Sequence, residues 1–482
     1  MANLDDIQID RDMRSRKFLL FAIVSFLGLL GIMLSLFLEQ RTNGNFLLTI
    51  GFSFAILLFV LSSNFYRGWI ILLIASTLST IRMKYFGFDF RPDELVFIWM
   101  SIIWIGAFLM GKVRTHHTPL FIPVIGTIAV NLLSTFLYAP DKSFGYQSSL
   151  LLAVYLFIYF ITFNLLSENI RLLKAAPILL IIVGVAQAVY GLIGVLSHIG
   201  GINLGGFVLS SAGFGAGASG GFQEDNIMGS FLAVIALVIM AHIALRTGWK
   251  RGGLYLVLAL SVTLITLSLT FTRAAWIGFA LGAVFLLFIL RPAGNIFNPK
   301  ILALLMSLII GFFVFLMPFG NYISTSSGGG SNGFVNRIAN LANLQGSGQG
   351  RTQVISLAFT RWEKSPLLGR GTYSLPQIGT GRISAGSWLY SSLVQSLHDT
   401  GLVGLFFMLW IYGGGIVIGL KGIRESTTRY WKATIAGSTV GWFALIIASQ
   451  ASSSAWLSFS WIILGLLVAW SVNVRRLESV SD

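Results

Sequence analysis

His398 and Asp399 stand side by side at the head of an apolar run, in "HDTGLVGLFFMLW". A neutral imidazole takes a hydroxyl proton near pH 7, and the carboxylate beside it is a second acceptor for the same proton. That is general-base chemistry. A histidine capping a span at the interface is the alternative, and the residues alone leave both open. Upstream, arginines gather. Arg273 sits in "FTRAAWIGF" between two apolar runs. The segment 319–397 carries Arg337, Arg351, Arg361, Lys364, Arg370 and Arg382 against one acid, Glu363. Guanidinium forks match phosphate oxygens, the more so in a partly dry site. A lipid-linked pyrophosphate at a membrane face fits such a cluster. For Arg273 the alternative is snorkelling to headgroups. For Arg361 and Lys364 a solvated or lipid-headgroup-facing helix side is the better reading, and Arg351 divides evenly.

Other chemistries are excluded or unsupported. The chain has no cysteine, so disulfides, thiolate metal sites and cysteine nucleophiles are out. None of His116, His117, His198, His242 and His398 pairs with a carboxylate at metal-ligand spacing, so no metal and no cofactor is expected. His116 and His117 read as inert, and His242 as a packed histidine. Asp93 and Glu94 in "FRPDELVF" open an apolar run and read as acids capping a helix N-terminus.

The elements that must position these residues are membrane spans. Of 482 residues 55% are hydrophobic and 10% charged, and mean hydropathy is +0.83. This composition predicts an all-α polytopic membrane protein. Hydropathy gives about fourteen spans, with twelve as the alternative count. They are 18–38, 46–63, 69–82, 95–110, 119–137, 148–166, 175–197, 227–245, 253–270, 274–290, 301–318, 401–420, 433–450 and 455–472. The charged N-terminal stretch followed by 18–38 predicts a retained first helix rather than a cleaved signal. With the N-terminus inside, alternation puts most of the 32 Lys and Arg on the cytoplasmic side. Both termini are then cytoplasmic. The net charge of +15 follows topology rather than nucleic-acid binding.

Three regions result. Residues 1–318 form the first eleven spans, 319–397 a large outer loop, and 398–482 the last three spans and a cytoplasmic tail. Within the loop, "RTQVISLAFTRWEKSP" predicts an amphipathic helix ended by Pro366, and turns follow in "LLGRGTYSL". Trp362, Tyr373, Trp388 and Tyr390 predict that this loop is ordered and lies on the membrane. All seventeen Asp and Glu fall in loops or at span ends. Proton-coupled carriers usually need an intramembrane carboxylate, so that class is disfavoured.

Four stretches resemble the O-antigen ligase and O-antigen polymerase superfamily of bacterial envelope glycosyltransferases. "FTRAAWIGFALG" resembles its Ser/Thr-Arg-small-small-Trp segment. "GRTQVISLAFTRWEKSPLLGRGTYSL" resembles its loop segment of Gly-Arg, amphipathic helix and Pro-Leu-x-Gly-x-Gly. "HDTGLVGLFFMLW" resembles its Gly-Leu-x-Gly span head, and "GGFQEDNIMGSFLA" its Gly-x-Phe…Asn stretch. They run in the family's order from about 220 to 420. The family's ligases carry a histidine eleven residues before the first Gly of Gly-Leu-x-Gly. Here that position is Tyr390, and His398 lies three residues before Gly401.

The resemblance implies a GT-C-like bundle in the bacterial cytoplasmic membrane, with its site facing outward. An undecaprenyl-pyrophosphate-linked glycan is the implied donor and a glycan or lipid-linked hydroxyl the acceptor, with a chain-length regulator as a further partner. By position Arg273 and Arg351 become phosphate-binding candidates, with Arg370 and Arg382 as additions. His398 is the implied base, and Asp399 the alternative. Polymerase is favoured slightly over a ligase acting on lipid A-core or another envelope acceptor. The reading from another class is a flippase for lipid-linked oligosaccharides. It would line its cavity with charge across the bilayer, whereas these charges gather on one face.

Overall fold

The computed structural model describes residues 65–79, 83–85, 88–111, 113, 115–199, 217–245, 251–290, 347–376, 389, 391–452 and 457–479. The expected spans 18–38, 46–63 and 301–318 lie outside the described residues, as do Arg337, Arg382 and Tyr390. The helices are α1 (Phe65–Ala75), α2 (Pro92–Leu109), α3 (Phe121–Tyr138), α4 (Lys142–Glu168), α5 (Ile170–Ile199), α6 (Asp225–Leu245), α7 (Arg251–Leu269) and α8 (Arg273–Leu290). They continue with α9 (Ser347–Trp362), α10 (Ser392–Glu425), α11 (Arg429–Ala448), α12 (Ser458–Val472) and α13 (Val474–Ser479). Two three-residue strands, Met83–Tyr85 and Phe88–Phe90, pair antiparallel. Among the described residues nine helices are long and apolar enough to cross a bilayer. The chain is an all-α polytopic membrane protein.

Two units divide the chain. In residues 1–72 with 95–114, Trp69, Leu72, Phe97 and Met100 are buried, while Ile98, Ile102 and Ile105 are exposed. Exposed isoleucines on an apolar helix suit lipid rather than water. Trp104 stacks on Phe108 at 5.8 Å between ring centroids.

Residues 73–94 with 115–482 form the second unit, and α6 is its centre. This helix is apolar all round and buried along almost its whole length, as such a helix must be. Small residues let its neighbours come close. Gly437 and Gly441 of α11 lie on Val238 and Val234 of α6, and Gly278 of α8 lies on the Ala444 carbonyl of α11. Gly465 of α12 packs on Thr162 of α4 in the same way.

The break expected between 270 and 274 is present. The hydroxyl of Thr270 donates back to the Leu267 carbonyl, Phe271 takes a left-handed φ of 51°, and α8 begins at Arg273. The expected span 69–82 is different. Its helix stops at Ala75, where Ser76 and Thr77 donate their hydroxyls to the carbonyls of Leu73 and Ile74, both at 2.7 Å. Side chains that bond to the preceding turn compete with helix continuation.

Residues at or near helix ends meet. Ser458 donates to Asp93, Ser392 N donates to Ser449 O at 3.0 Å, and Ala218 N donates to Leu269 O at 2.8 Å. Asp93 and Glu94 open α2 as expected of capping acids, and Arg91 N donates to Glu94 Oε2 at 3.0 Å. At the opposite end α13 folds back on the turn between α10 and α11. There Glu478 accepts from Thr427 N at 2.9 Å and Thr428 N at 2.8 Å. Burial raises the Glu478 carboxyl, but these bonds and those from the Ser426, Thr427 and Thr428 hydroxyls outweigh it and hold it below its ordinary range.

Candidate functional site

The site forms where α10 is broken. Gly401 has φ 68° and ψ −162° inside the helix Ser392–Glu425. A break of this kind orphans backbone donors and acceptors on both sides, and buried backbone groups need partners. The loop after α9 supplies them. Leu402 N donates to Pro366 O at 2.9 Å and Val403 N to Leu367 O at 3.2 Å. In return Arg370 N donates to His398 O at 2.9 Å and Gly371 N to Asp399 O at 3.0 Å. The loop is stitched into the gap and continues the hydrogen bonding that the helix gives up.

That exchange needs glycine on both sides. Gly369 and Gly371 take φ of 70° and 94°, and a Cβ on Gly369 would lie 2.4 Å from the carbonyl carbon of Asp399. Pro366 ends the amphipathic helix α9 as its sequence predicts, since its ring cannot continue a helix. The apolar side of α9 packs Val354 and Ala358 on Leu375 and Leu389. The far wall is polar. Ser134 of α3 donates to Asp399 O at 2.6 Å and accepts from Gly371 N at 3.0 Å. Thr372 N donates to Thr135 Oγ1, and Thr372 Oγ1 donates to Asn131 Oδ1 at 2.9 Å.

Inside this frame His398 and Asp399 are 1% and 3% exposed. His398 Nδ1 lies 2.8 Å from Asp399 Oδ1. The other carboxylate oxygen accepts from Tyr373 N at 2.9 Å and from Gln395 Nε2 at 3.5 Å. Arg361 Nε lies 3.3 Å from His398 Nε2. Arginine can only donate, so Nε2 must accept and the ring proton must sit on Nδ1, facing Asp399. The imidazole is thereby fixed in orientation and tautomer. Its carboxylate partner is anchored by a backbone N–H.

Positive charge collects on the same spot. Arg361 Nη2 and Arg370 Nε are buried and, among the described residues, have no hydrogen-bond partner. Burial lowers the Arg361 guanidinium, the charge of Arg370 lowers it further, and Asp399 opposes both. The two arginine charges thus oppose one another, and Asp399 offsets them in part. Tyr373, in a left-handed φ of 58°, has its phenol pushed far above its ordinary range by burial and by the charges of Asp399 and Glu224. It stays a neutral hydroxyl at any physiological pH. Among the described residues no group of three or more His, Asp or Glu is placed to hold a metal.

The sequence-derived candidates divide. His398 and Asp399 come together directly, and Arg370 joins them through its backbone. Arg273 is the half-buried first residue of α8, at the end of the bundle where Ala218 meets Leu269. Arg351 lies in α9, with its side chain outside the described residues, and Arg382 lies wholly outside them. Arg361 is the residue that sequence reasoning assigned to solvent or lipid headgroups and the structure turns onto the imidazole. A signal existed: Arg361 lies four residues before Ser365-Pro366, at the helix terminus that must dock for the loop to reach α10.

Residues 254–409 match the family model described as O-Antigen ligase. The matched stretch runs from α7 through the break in α10, so it contains His398, Asp399, Arg361, Arg370 and Arg273. No curated protein matches the chain.

Proposed function

From the O-antigen ligase/polymerase superfamily domain at residues 254–409, we propose that the protein transfers a glycan from a lipid pyrophosphate to an acceptor hydroxyl at the outer face of the bacterial cytoplasmic membrane. The family indicates ligase- or polymerase-type glycosyl transfer with lipid-linked glycan substrates at the bilayer. The observation that carries the finer reading is the pair of buried guanidinium nitrogens, on Arg361 and Arg370, that lack an acceptor among the described residues beside the His398–Asp399 pair. A buried donor left unmade costs about 1–3 kcal/mol, and more when charged. A pyrophosphate relieves that cost on both arginines at once.

The chemistry follows from these groups. His398 Nε2 takes the proton of an acceptor hydroxyl, and its oxygen attacks the anomeric carbon of the donor. The bond from that carbon to the pyrophosphate oxygen breaks, and the electron pair leaves on the lipid pyrophosphate. Arg361 and Arg370 stabilise the charge developing there, with Arg273 and Arg351 as further donors to the phosphates. Asp399 holds the imidazolium that forms. We favour polymerase over ligase for the acceptor, a lipid-linked repeat unit rather than a lipid A-core glycan.

The test is reconstitution in liposomes with undecaprenyl-pyrophosphate-linked repeat units as sole substrate. Lengthened lipid-linked glycans support polymerase. Product only when a second, non-donor acceptor is added favours ligase. No transfer with either, but movement of the intact donor between leaflets, replaces the enzyme by a flippase.

A further inference from the structure

The contact between Arg361 and His398 sets a problem for a base. A base needs a free lone pair, and the Nε2 lone pair of His398 accepts from Arg361 Nε. The Nδ1 side offers none, because its proton is committed to Asp399 Oδ1 at 2.8 Å. With His398 1% exposed, water cannot compete for either nitrogen. As it stands, the imidazole is held in the right tautomer and shut off.

The shutter is weakly held. At 3.3 Å the N–H···N bond is long and its acceptor is neutral, whereas guanidinium to phosphate oxygen bonds join two ions, run near 2.8 Å and come in parallel pairs. Among the described residues, Nη2 of the same guanidinium is buried without an acceptor, and so is Nε of Arg370. An anion placed between the two arginines gains donors that no other described residue uses. It also cancels the repulsion between the two cations.

Resting on the pyrophosphate reading above, we propose that Arg361 is a guard on His398 that the donor's diphosphate displaces, so that Nε2 becomes available as a base only once the diphosphate is seated on Arg361 and Arg370. Asp399 keeps the ring in place while the guard moves, since its bonds to Nδ1 and Tyr373 N do not involve Arg361. The device orders the reaction, donor before deprotonation. It needs no movement of α10.

The experiment reads the nitrogen itself. Full-length protein carrying ¹⁵N-histidine, in lipid nanodiscs, is titrated with inorganic pyrophosphate, and the His398 signals are assigned by loss in His398→Gln. Calorimetry on the same sample reports binding. Expected is a downfield move of the Nε2 resonance as its hydrogen bond is lost, with Nδ1 still protonated. In Arg361→Met the free protein already shows the downfield position, and pyrophosphate moves it no further. Arg370→Gln keeps the wild-type free position but loses most of the pyrophosphate affinity. It also serves where Arg361→Met fails to fold. Pyrophosphate that binds while the Nε2 resonance stays still, or that protonates Nε2, overturns the guard alone. A flat calorimetric titration of the wild type removes the diphosphate site, and the guard with it.

Discussion

Gly401 lies so close to Leu367 that a Cβ added to it would meet the Leu367 carbonyl oxygen at 2.3 Å. The helix break and the loop that fills it are therefore one construction, and the catalytic candidates hang on it from both sides. Gly401→Ala must both leave its left-handed φ and push the loop away. Non-glycine strain of this kind costs about 1–3 kcal/mol before the clash is counted. We expect Gly401→Ala to lower the melting temperature in detergent and to abolish glycan transfer. Gly413→Ala, on the same helix with open space around it, leaves both near wild type.

Asp399 acts on His398 by holding the Nδ1 proton, so its carboxylate matters beyond its bulk. Asp399→Asn offers an amide that bonds either ring nitrogen and no longer stabilises an imidazolium. The expected fall in kcat is about 10²–10⁴-fold, the usual range for general-base work, with the KM for the lipid-linked donor changed little. A loss seen in KM alone would place Asp399 in donor binding instead. His398→Ala with unchanged polymer length and yield in cells would remove the base assignment.

Away from the break, Arg91 is enclosed by acids and an aromatic ring. Its Nη2 lies 2.9 Å from Glu94 Oε1, its guanidinium carbon 5.2 Å from the Tyr155 ring centre, and Tyr155 donates to the same Glu94 oxygen at 2.7 Å. Glu94 is 7% exposed. Breaking a buried pair strands a charge, at about 3–5 kcal/mol, while removing both partners costs far less. Arg91→Met should therefore destabilise strongly, and Arg91→Met with Glu94→Leu should recover much of the loss in a thermal melt.

The chain has no cysteine, so single cysteines report orientation without background. Gln353 in α9 and Thr427 in the turn between α10 and α11 are both exposed. In intact spheroplasts Gln353→Cys should react with a membrane-impermeant maleimide and Thr427→Cys only after permeabilisation. The reverse pattern would turn the active site to the cytoplasm and defeat the proposed reaction.

Much of this molecule was legible in one dimension. Hydropathy alone determines the bundle class, because a backbone in hydrocarbon must satisfy itself within helices. Pro366 ends α9 and polar residues mark the break before Arg273, since these are local backbone effects that need no partner. His398, Asp399 and Arg370 were recognisable by residue type. What only the tertiary structure decided is how they meet. Gly401 sits in a stretch that reads as the start of an ordinary span. Its left-handed conformation becomes possible only when the carbonyls of Pro366 and Leu367 arrive to receive the amides of Leu402 and Val403. Arg361 has the periodicity of a solvated helix side, and a charge on such a side looks the same in sequence whether it faces water or a histidine. Docking of its loop across the break turns it inward, because long-range hydrogen bonds, not local propensity, fix where the end of α9 points.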